Sequence, residues 1–599
     1  MRGLGLVRKT TVLGLAAAMA AVAAQAQADE PSATITGVED RALREAIQRA
    51  LTQSDGPPAS RSEARRRARD AADDAVAVLR AEGYYAYVVD PDVTETDPPR
   101  GTVKVTPGQL FVIADPRIDW SGAPPDEGVR ERAFSVLGLT EGSAGRAAEI
   151  LGAEGRAVAQ VQKLGYADAM ADPRQVIVDH ADHTVRPTFI IAAGDLVKVD
   201  GVELSTKGRT RIEWLQRLAP WKEGDVYDPE DIAELERRLR DTGVYDTVSV
   251  ALAPKDKALA NGLRPIQVTL ADRASRTLEL GAGYSTSEGP GVDAKWIRYN
   301  RLRRADTTTI TSRVAKLEKS LEGSVALPHW GRPQQTLKLT SRVFADTTDA
   351  YDETGATFSA DLTRRLQTTR YRTYGLSVDL SQTKELTTAN GLPVGQRLNL
   401  ATFTALGAYA WDYSDNILDP RRGWRVEARA EPTAITGETS LVYIRTQAQG
   451  SAYIPFGKEA DTVLAGRLKL GAMLGGTMPE VPASRRFYSG GGGSVRGYSY
   501  QAIGPRLSDN TPQGGLSLFE GSIELRHRFT QQWGGVVFID AGAVGTEPTP
   551  NTRDFSVGAG FGVRYDLGFG PIRADIAFPL EKREGDAAFQ IYLSIGQSF

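Results

Sequence analysis

Leu278-Glu279-Leu280-Gly281-Ala282-Gly283-Tyr284 sets Leu278, Leu280, Ala282 and Tyr284 on one face and Glu279, Gly281 and Gly283 on the other. A period of two is that of a β-strand lying between an apolar and a polar medium. From here to the C-terminus the pattern returns in segments of roughly ten residues divided by polar or glycine-containing turns. Gln334–Ala345, Thr357–Arg364, Tyr374–Ser381, Arg422–Ala430, Ser440–Tyr453, Thr462–Met473, Leu516–Phe529, Val536–Val544, Ser556–Leu567 and Ile572–Leu580 all share it. The last segment, Ile591–Phe599, puts Ile591, Leu593, Ile595 and Phe599 on one face. At about 20 residues per strand and connection, the roughly 325 residues after Arg273 hold about sixteen strands. A transmembrane β-barrel of antiparallel strands is therefore expected over residues 274–599, since closure satisfies every backbone amide without water. The mean hydropathy of −0.30 fits it, because only alternate residues of such strands face lipid. A soluble sandwich is the alternative, but it has no need of a secretory leader ahead of so many amphipathic strands.

Such a leader opens the chain. Arg2, Arg8 and Lys9 precede an apolar stretch from Val12 to Ala24, and Ala26-Gln27-Ala28 offers the small residues a signal peptidase reads, so residues 1–28 are expected to be removed. The stretch is alanine-rich, too short to span a bilayer and succeeded at once by Asp29 and Glu30, which argues against an anchor. The 599 residues exceed what one core organises. With 72 Lys and Arg against 75 Asp and Glu, the formal net charge of −3 gives no reason to expect nucleic acid. Cysteine is absent, which removes disulfides, zinc-thiolate sites and thiol chemistry, and the four histidines leave little imidazole for acid–base work.

Between leader and barrel a unit of about 80 residues repeats three times. Leu79-Arg80-Ala81-Glu82-Gly83-Tyr84-Tyr85 returns as Val161-Gln162-Lys163-Leu164-Gly165-Tyr166-Ala167 and as Leu239-Arg240-Asp241-Thr242-Gly243-Val244-Tyr245. In each copy a charged helix ends at a glycine suited to a left-handed cap, and a strand comes next. Each unit opens on an extended segment with a turn glycine: Ile35-Thr36-Gly37-Val38, Ile118–Gly122 and Val199-Asp200-Gly201-Val202. The order β-α-α-β-β, with the helix–Gly–Tyr junction, resembles the POTRA domain, a periplasmic module. The resemblance implies three such units, at 29–110, 111–195 and 196–273, whose sheet edges can pair with an extended client chain. A purely spacing role is the alternative. The run Arg65-Arg66-Arg67-Ala68-Arg69 reads as a solvated helix face, with lipid headgroup contact the second reading.

Three motifs invite other chemistry. Gly490–Gly493 lacks the Gly-Lys-Ser/Thr ending and helix of a phosphate loop. Asp412-Tyr413-Ser414-Asp415-Asn416-Ile417-Leu418-Asp419 lacks the twelfth-position glutamate of a calcium loop, and Asp179-His180-Ala181-Asp182-His183 falls where a hairpin turn is expected. No metal site, catalytic residue or cofactor is expected, and an enzyme is not.

The glycine run leads into Ser494-Val495-Arg496-Gly497-Tyr498. This pentapeptide, together with Phe538-Ile539-Asp540-Ala541-Gly542, resembles the paired Val-Arg-Gly-Phe/Tyr and Phe-x-Asp-x-Gly motifs of the outer-membrane assembly superfamily that includes BamA and TamA. Asp412–Trp424 is similar to a periplasmic turn of the same superfamily, and the terminal Phe599 to the C-terminal signal of outer-membrane barrels. The resemblance implies that Met478–Gly515 is the sixth extracellular loop, folded into the lumen. It implies that Arg496 meets Asp540 and the wall carboxylate Glu524, with Val495, Gly497, Tyr498 and Gly542 in the contact. Three repeats, with Ala81-Glu82-Gly83-Tyr84-Tyr85 and Lys104-Val105-Thr106-Pro107-Gly108 in the first, resemble the TamA branch most.

That branch implies an outer-membrane assembly factor with its repeats in the periplasm. It would insert β-barrel clients such as autotransporters beside a TamB-like inner-membrane-anchored partner, in contact with outer-membrane lipid. The expected weak element is a lateral seam between the first and last strands, at Leu278, Leu280, Gly281, Gly283, Ile595 and Phe599, where the glycines lower strand stability. The rival readings are a conduit or end-point for phospholipid delivery, a polypeptide secretion pore, and a simple anchor for the repeats.

Overall fold

The computed structural model describes residues 30–595 and 597, apart from 55, 207, 260, 287, 386–394, 396, 458–459, 551–553 and 569–570. The leader and Phe599 lie outside the described residues. Three small α+β domains precede a closed barrel of sixteen antiparallel strands.

Each repeat packs two helices on a sheet of one topology. In the first, the strand Thr34–Thr36 runs parallel to Gly101–Thr106, which pairs antiparallel with Val88–Val93. Helices Arg41–Ala50 and Arg61–Ala81 are capped by Asp40 and Ser60, whose side chains accept the Leu43 and Glu63 N–H groups. Ile35, Leu43, Ile47, Ala75, Leu79 and Val103 form the core. The second repeat sets Arg117–Trp120 parallel and Met170–Asp179 antiparallel to Thr184–Ala192, and the third orders Lys198–Leu204, Leu263–Asp272 and Tyr245–Leu252 the same way. Gly83, Gly165 and Gly243 end the second helix of each at φ +92°, +100° and +69°, conformations that disfavour any side chain. Arg65, Arg66 and Arg69 are exposed on their helix, whereas Arg67 turns in to Glu63 at 2.7 Å. The rings of His180 and His183 both pack edge-on against Phe111 at 5.2 Å.

The barrel begins with strand 1 (Arg276–Ser285), strand 2 (Gly289–Tyr299), strand 3 (Thr307–Ala315), strand 4 (Glu318–Leu327) and strand 5 (Gln335–Thr347). Strands 6 (Tyr351–Gln367), 7 (Arg370–Glu385), 8 (Arg397–Asp412), 9 (Gly423–Gly437) and 10 (Leu441–Phe456) form its tallest wall. Strands 11 (Thr462–Leu474), 12 (Ser517–Arg528), 13 (Trp533–Gly545), 14 (Ser556–Asp566), 15 (Pro571–Pro579) and 16 (Gln590–Ile595) return to the start. The alternating segments named from the sequence leave out strands 2, 3, 4 and 8. Thr307-Thr308-Thr309 in strand 3 offers no contrast between its faces, because a lumen and an interface both tolerate threonine. The named segments for strands 6 and 7 are also short, since the ladder there continues from Thr357↔Asp379 to Tyr351↔Glu385, into a polar stretch.

The third repeat is stitched to the periplasmic turns of the barrel. Asn300 Nδ2 donates to Thr210 Oγ1 at 2.9 Å, and Gln334 Nε2 to Glu234 Oε1 at 3.2 Å. His329 Nε2 lies 3.0 Å from the Arg238 carbonyl, and Arg365 pairs with Asp241. Burial holds the His329 imidazolium form down, so its pKa lies below the usual histidine value.

Candidate functional site

The connection from strand 11 to strand 12, residues 475–516, is the sixth on the extracellular side, and it folds into the lumen. Left-handed backbone at Gly490 and Gly491 bends it. The bend is tied down where Ser489 Oγ and Ser494 Oγ both donate to Glu520 of strand 12. Arg496, 2% exposed, lands on the wall of strands 12, 13 and 15. Its Nε and Nη2 donate to the two carboxylate oxygens of Asp540 at 2.7 and 2.9 Å, and its backbone N–H adds a third bond at 3.1 Å. Nη1 lies 2.7 Å from Glu524 Oε1 and 3.3 Å from Asp575 Oδ2, and the guanidinium stacks 3.4 Å over the Phe538 ring. Arg526 pairs with Glu524 and Arg564 with Asp575, so three guanidinium groups face three carboxylates. Such balance with bidentate geometry is what lets buried charge persist.

The neighbouring residues shape the fit. A Cβ on Gly542 would meet Val495 Cγ2 at 2.6 Å, and one on Gly558 would meet the Arg496 carbonyl oxygen at 1.9 Å. Gly497, at φ +100°, passes against the Phe578 backbone. The Tyr498 hydroxyl sits 2.9 Å from the Glu581 carbonyl and 3.2 Å from that of Val557. Asp575, Tyr592, Arg526, Arg564 and Gly558 are contacts that sequence reasoning did not single out. For the four with polar side chains the one signal is a charged or polar residue at a lumen-facing position that alternates with apolar ones, as in Ile572-Arg573-Ala574-Asp575, and Gly558 carries none.

A second anchor holds the same loop on the opposite, tall wall. Arg485 reaches Glu353 of strand 6 at 2.9 Å and Asp379 of strand 7 at 2.8 Å, and the Ala483 N–H donates to Glu385. The loop thus bridges the lumen.

Among the described residues strands 1 and 16 meet at Tyr284↔Leu593 and Ser285↔Tyr592, extended by the Thr286 N–H to the Ile591 carbonyl at 3.1 Å. Strand 1 pairs with strand 2 along its whole length, from Arg276↔Arg298 to Ser285↔Gly289, yet from Gly283 back to Arg276 it has no partner in strand 16 among the described residues. Leu278, Leu280 and Ile595 are exposed, and Gly281, Gly283, Tyr592 and Ile595 line a cavity of ≈690 Å³. The docked loop touches both sides of this seam. The Gly492 N–H donates to Glu288, beyond strand 1, at 3.3 Å, while the Tyr592 hydroxyl accepts from the Gly497 N–H at 3.1 Å and Gln590 donates to Ser499 at 3.1 Å.

The turn between strands 8 and 9 uses its carboxylates internally. Asp412 accepts from the Ser414 N–H and from Arg425, and Asp415 from the Arg421 and Arg422 N–H groups. Among the described residues no group of three His, Cys, Asp or Glu side chains is placed to hold a metal.

The family model described as the Omp85 superfamily domain matches residues 300–599. The chain belongs to the Omp85 superfamily. Within this Omp85 chain, a model described as POTRA domain TamA domain 1 matches residues 32–107, and one described as surface antigen variable number repeat matches 197–262. The chain is 22% identical over 484 residues to the outer membrane protein assembly factor BamA of Neisseria meningitidis serogroup B, covering 69% of this chain and 58% of that protein. It is 21% identical over 446 residues to BamA of Neorickettsia risticii, covering 70% and 57%. The chain therefore spans little more than half the length of these relatives. A crystal structure of BamA from Haemophilus ducreyi lacking POTRA domains 1–3 has the same fold, with a TM-score of 0.67 at 20% identity, covering 81% of this chain and all of that one. This Omp85 protein lies in the outer membrane, with POTRA-like domains in the periplasm ahead of a membrane-spanning barrel.

Proposed function

We propose that this protein is an assembly factor of the TamA kind. It inserts β-barrel clients, autotransporters among them, through the seam between strands 1 and 16, and works with a TamB-like inner-membrane-anchored protein. The observation that carries the reading is the short seam: among the described residues strand 1 pairs with strand 16 only at Tyr284 and Ser285, and its edge from Arg276 to Gly283 has no ladder partner there. An edge of that kind templates an incoming strand by backbone hydrogen bonds, which favours clients that are themselves β-strands. The family model matched by the first repeat, and the assembly-factor relatives, support the same assignment.

In this mechanism the loop governs the seam. Arg496 fixes the loop, the loop holds Tyr592 and Gln590, and those residues hold strand 16 from the lumenal side, while its ladder to strand 1 is two register pairs long among the described residues. No step requires a cofactor.

The natural chain has no cysteine, so Tyr284→Cys with Leu593→Cys adds one disulfide across a defined register position. Purified protein in liposomes is expected to stimulate insertion of an unfolded autotransporter barrel, to lose that activity when the disulfide forms, and to regain it on reduction. Equal insertion by the clamped and reduced forms would refute a gated seam. No stimulation by either form, with a stable ion conductance or with transfer of phospholipid in its place, would favour the pore or lipid-delivery readings.

A further inference from the structure

Exposed aromatic side chains ring the periplasmic rim: Trp330, Trp424, Phe456, Phe529 and Trp533 stand at the turn ends of strands 5, 9, 10, 12 and 13. Girdles of this kind mark the level of lipid headgroups. Along the rim from strand 8 to strand 14, three arginines are neutralised by the protein itself, while Arg422 is exposed. Arg425 pairs with Asp412 at 3.2 Å, Arg421 with Asp419 at 3.1 Å, and Arg528 with Asp419 and Asp566 at 3.6 Å.

The arc from strand 1 to strand 5 is built differently. Arg217 of the third repeat, Arg304 of the 300–306 turn and Arg332 of the 328–334 turn line one cavity of ≈430 Å³, together with Trp214, Trp330 and Pro333. Arg217 Nε donates to the Glu213 backbone carbonyl at 3.1 Å, and none of the three arginines has a carboxylate partner among the described residues. Asp306, in the same turn as Arg304, is buried and spent on the Arg301 and Leu302 N–H groups. On the lipid-facing side Arg276 and Arg298 oppose each other directly across strands 1 and 2, on the face that carries Leu278 and Trp296. Like charges so placed repel unless an anion lies between or beside them.

We infer that this arc binds the headgroup phosphate of an anionic phospholipid from the periplasmic leaflet. Guanidinium forks match phosphate oxygens, and three of them around one cavity at headgroup depth supply donors that the protein leaves unused. Trp330, exposed and lining the same cavity, and Leu302, exposed in the 300–306 turn that carries Arg304, match the glycerol and upper acyl region of a lipid and have no role toward a free anion. The inference rests on the outer-membrane placement of the barrel and is independent of client insertion.

The test measures binding of fluorescent phosphatidylglycerol to the full chain in nanodiscs of phosphatidylcholine. Arg217→Gln/Arg304→Gln/Arg332→Gln is expected to weaken it by about fivefold per arginine. Arg65→Gln/Arg66→Gln/Arg69→Gln, on the exposed helix of the first repeat, is expected to leave it unchanged. Brominated phosphatidylglycerol is expected to quench tryptophan fluorescence more than brominated phosphatidylcholine does, and Trp330→Phe to remove the difference. The inference is overturned if both triple variants lose affinity equally, or if the rim variant binds as the parent does. It is also overturned if inorganic phosphate displaces the probe and the Trp330 quenching difference is absent, which would mark a site for soluble phosphate. Should the rim triple fail to fold, the Trp330→Phe comparison decides alone.

Discussion

Strands 6 and 7, with 17 and 16 residues, pair from Tyr351↔Glu385 down to Gln367↔Arg370, whereas among the described residues strand 16 has six and meets strand 1 at one end. A strand needs about nine to eleven residues to cross a bilayer when tilted. The tall wall therefore holds itself together through its backbone ladder. Among the described residues strand 16 keeps strand 15 along one edge and a short ladder to strand 1 on the other, and the lumenal loop adds the Gly497 N–H on Tyr592 and the Ser499 hydroxyl on Gln590. Among the described residues the last strand is thus held by the lumenal loop as well as by its two neighbours in the circle.

Removing Arg496 is the severest challenge to that picture. Arg496→Ala leaves Asp540 buried without its bidentate partner and is expected to cost about 3–5 kcal/mol. Arg485→Ala, at the tall-wall anchor, is expected to cost less, because Glu353 keeps the Thr383 and Ser484 hydroxyls and Asp379 keeps the Thr357 hydroxyl. Denaturant midpoints of the two variants in detergent check this, and equal losses would mean that the two anchors share the loop evenly. Next in size, Gly558→Ala drives a methyl into the Arg496 carbonyl oxygen and is expected to cost about 1–3 kcal/mol. Gly323→Ala, on strand 4 where a Cβ meets nothing within 4 Å, serves as the neutral control in the same unfolding experiment.

Tyr592→Phe removes the hydroxyl that accepts the Gly497 N–H and leaves that donor unpaired, at a cost of about 1 kcal/mol or slightly more. Hydrogen exchange in strand 16 is expected to rise while exchange in strands 6 and 7 stays the same. A rise in both would show the seam and the tall wall to be one cooperative unit. The smallest effect concerns pH. His329 has a depressed pKa in the folded protein and accepts the Gln334 N–H at Nδ1, 2.9 Å away. Its contribution is complete above the ordinary histidine value of about 6.5 and is lost as pH falls through the folded value, because the unfolded chain takes up the proton first. His329→Gln is expected to flatten the pH dependence of the melting temperature over that range.

The barrel is legible in the sequence wherever lipid and lumen demand opposite side chains, as in Ile591-Tyr592-Leu593, where Tyr592 is buried and Leu593 exposed. It is illegible in strand 3, whose threonines suit either side. The helix–Gly junctions of the three repeats are readable because a left-handed cap leaves few choices of residue. Arg496, Asp540 and Glu524 are reached through resemblance to a family, and no spacing rule would bring them together. Asp575 and Tyr592 escape because their approach to the loop is set by barrel curvature, which one-dimensional periodicity does not record. Phe599 lies outside the described residues.

The lumenal loop precedes strands 12 to 16 in the chain, and this order bears on how the molecule is made. Arg496 and Asp540 are 44 residues apart and Arg496 and Asp575 are 79, whereas Thr286 and Gln590 at the seam are 304 apart. Contacts of greater sequence separation carry a larger loss of chain entropy when they form, and folding slows as they dominate. The arginine's contacts therefore carry a smaller cost of chain closure than those of the seam, which joins the two ends of the barrel sequence.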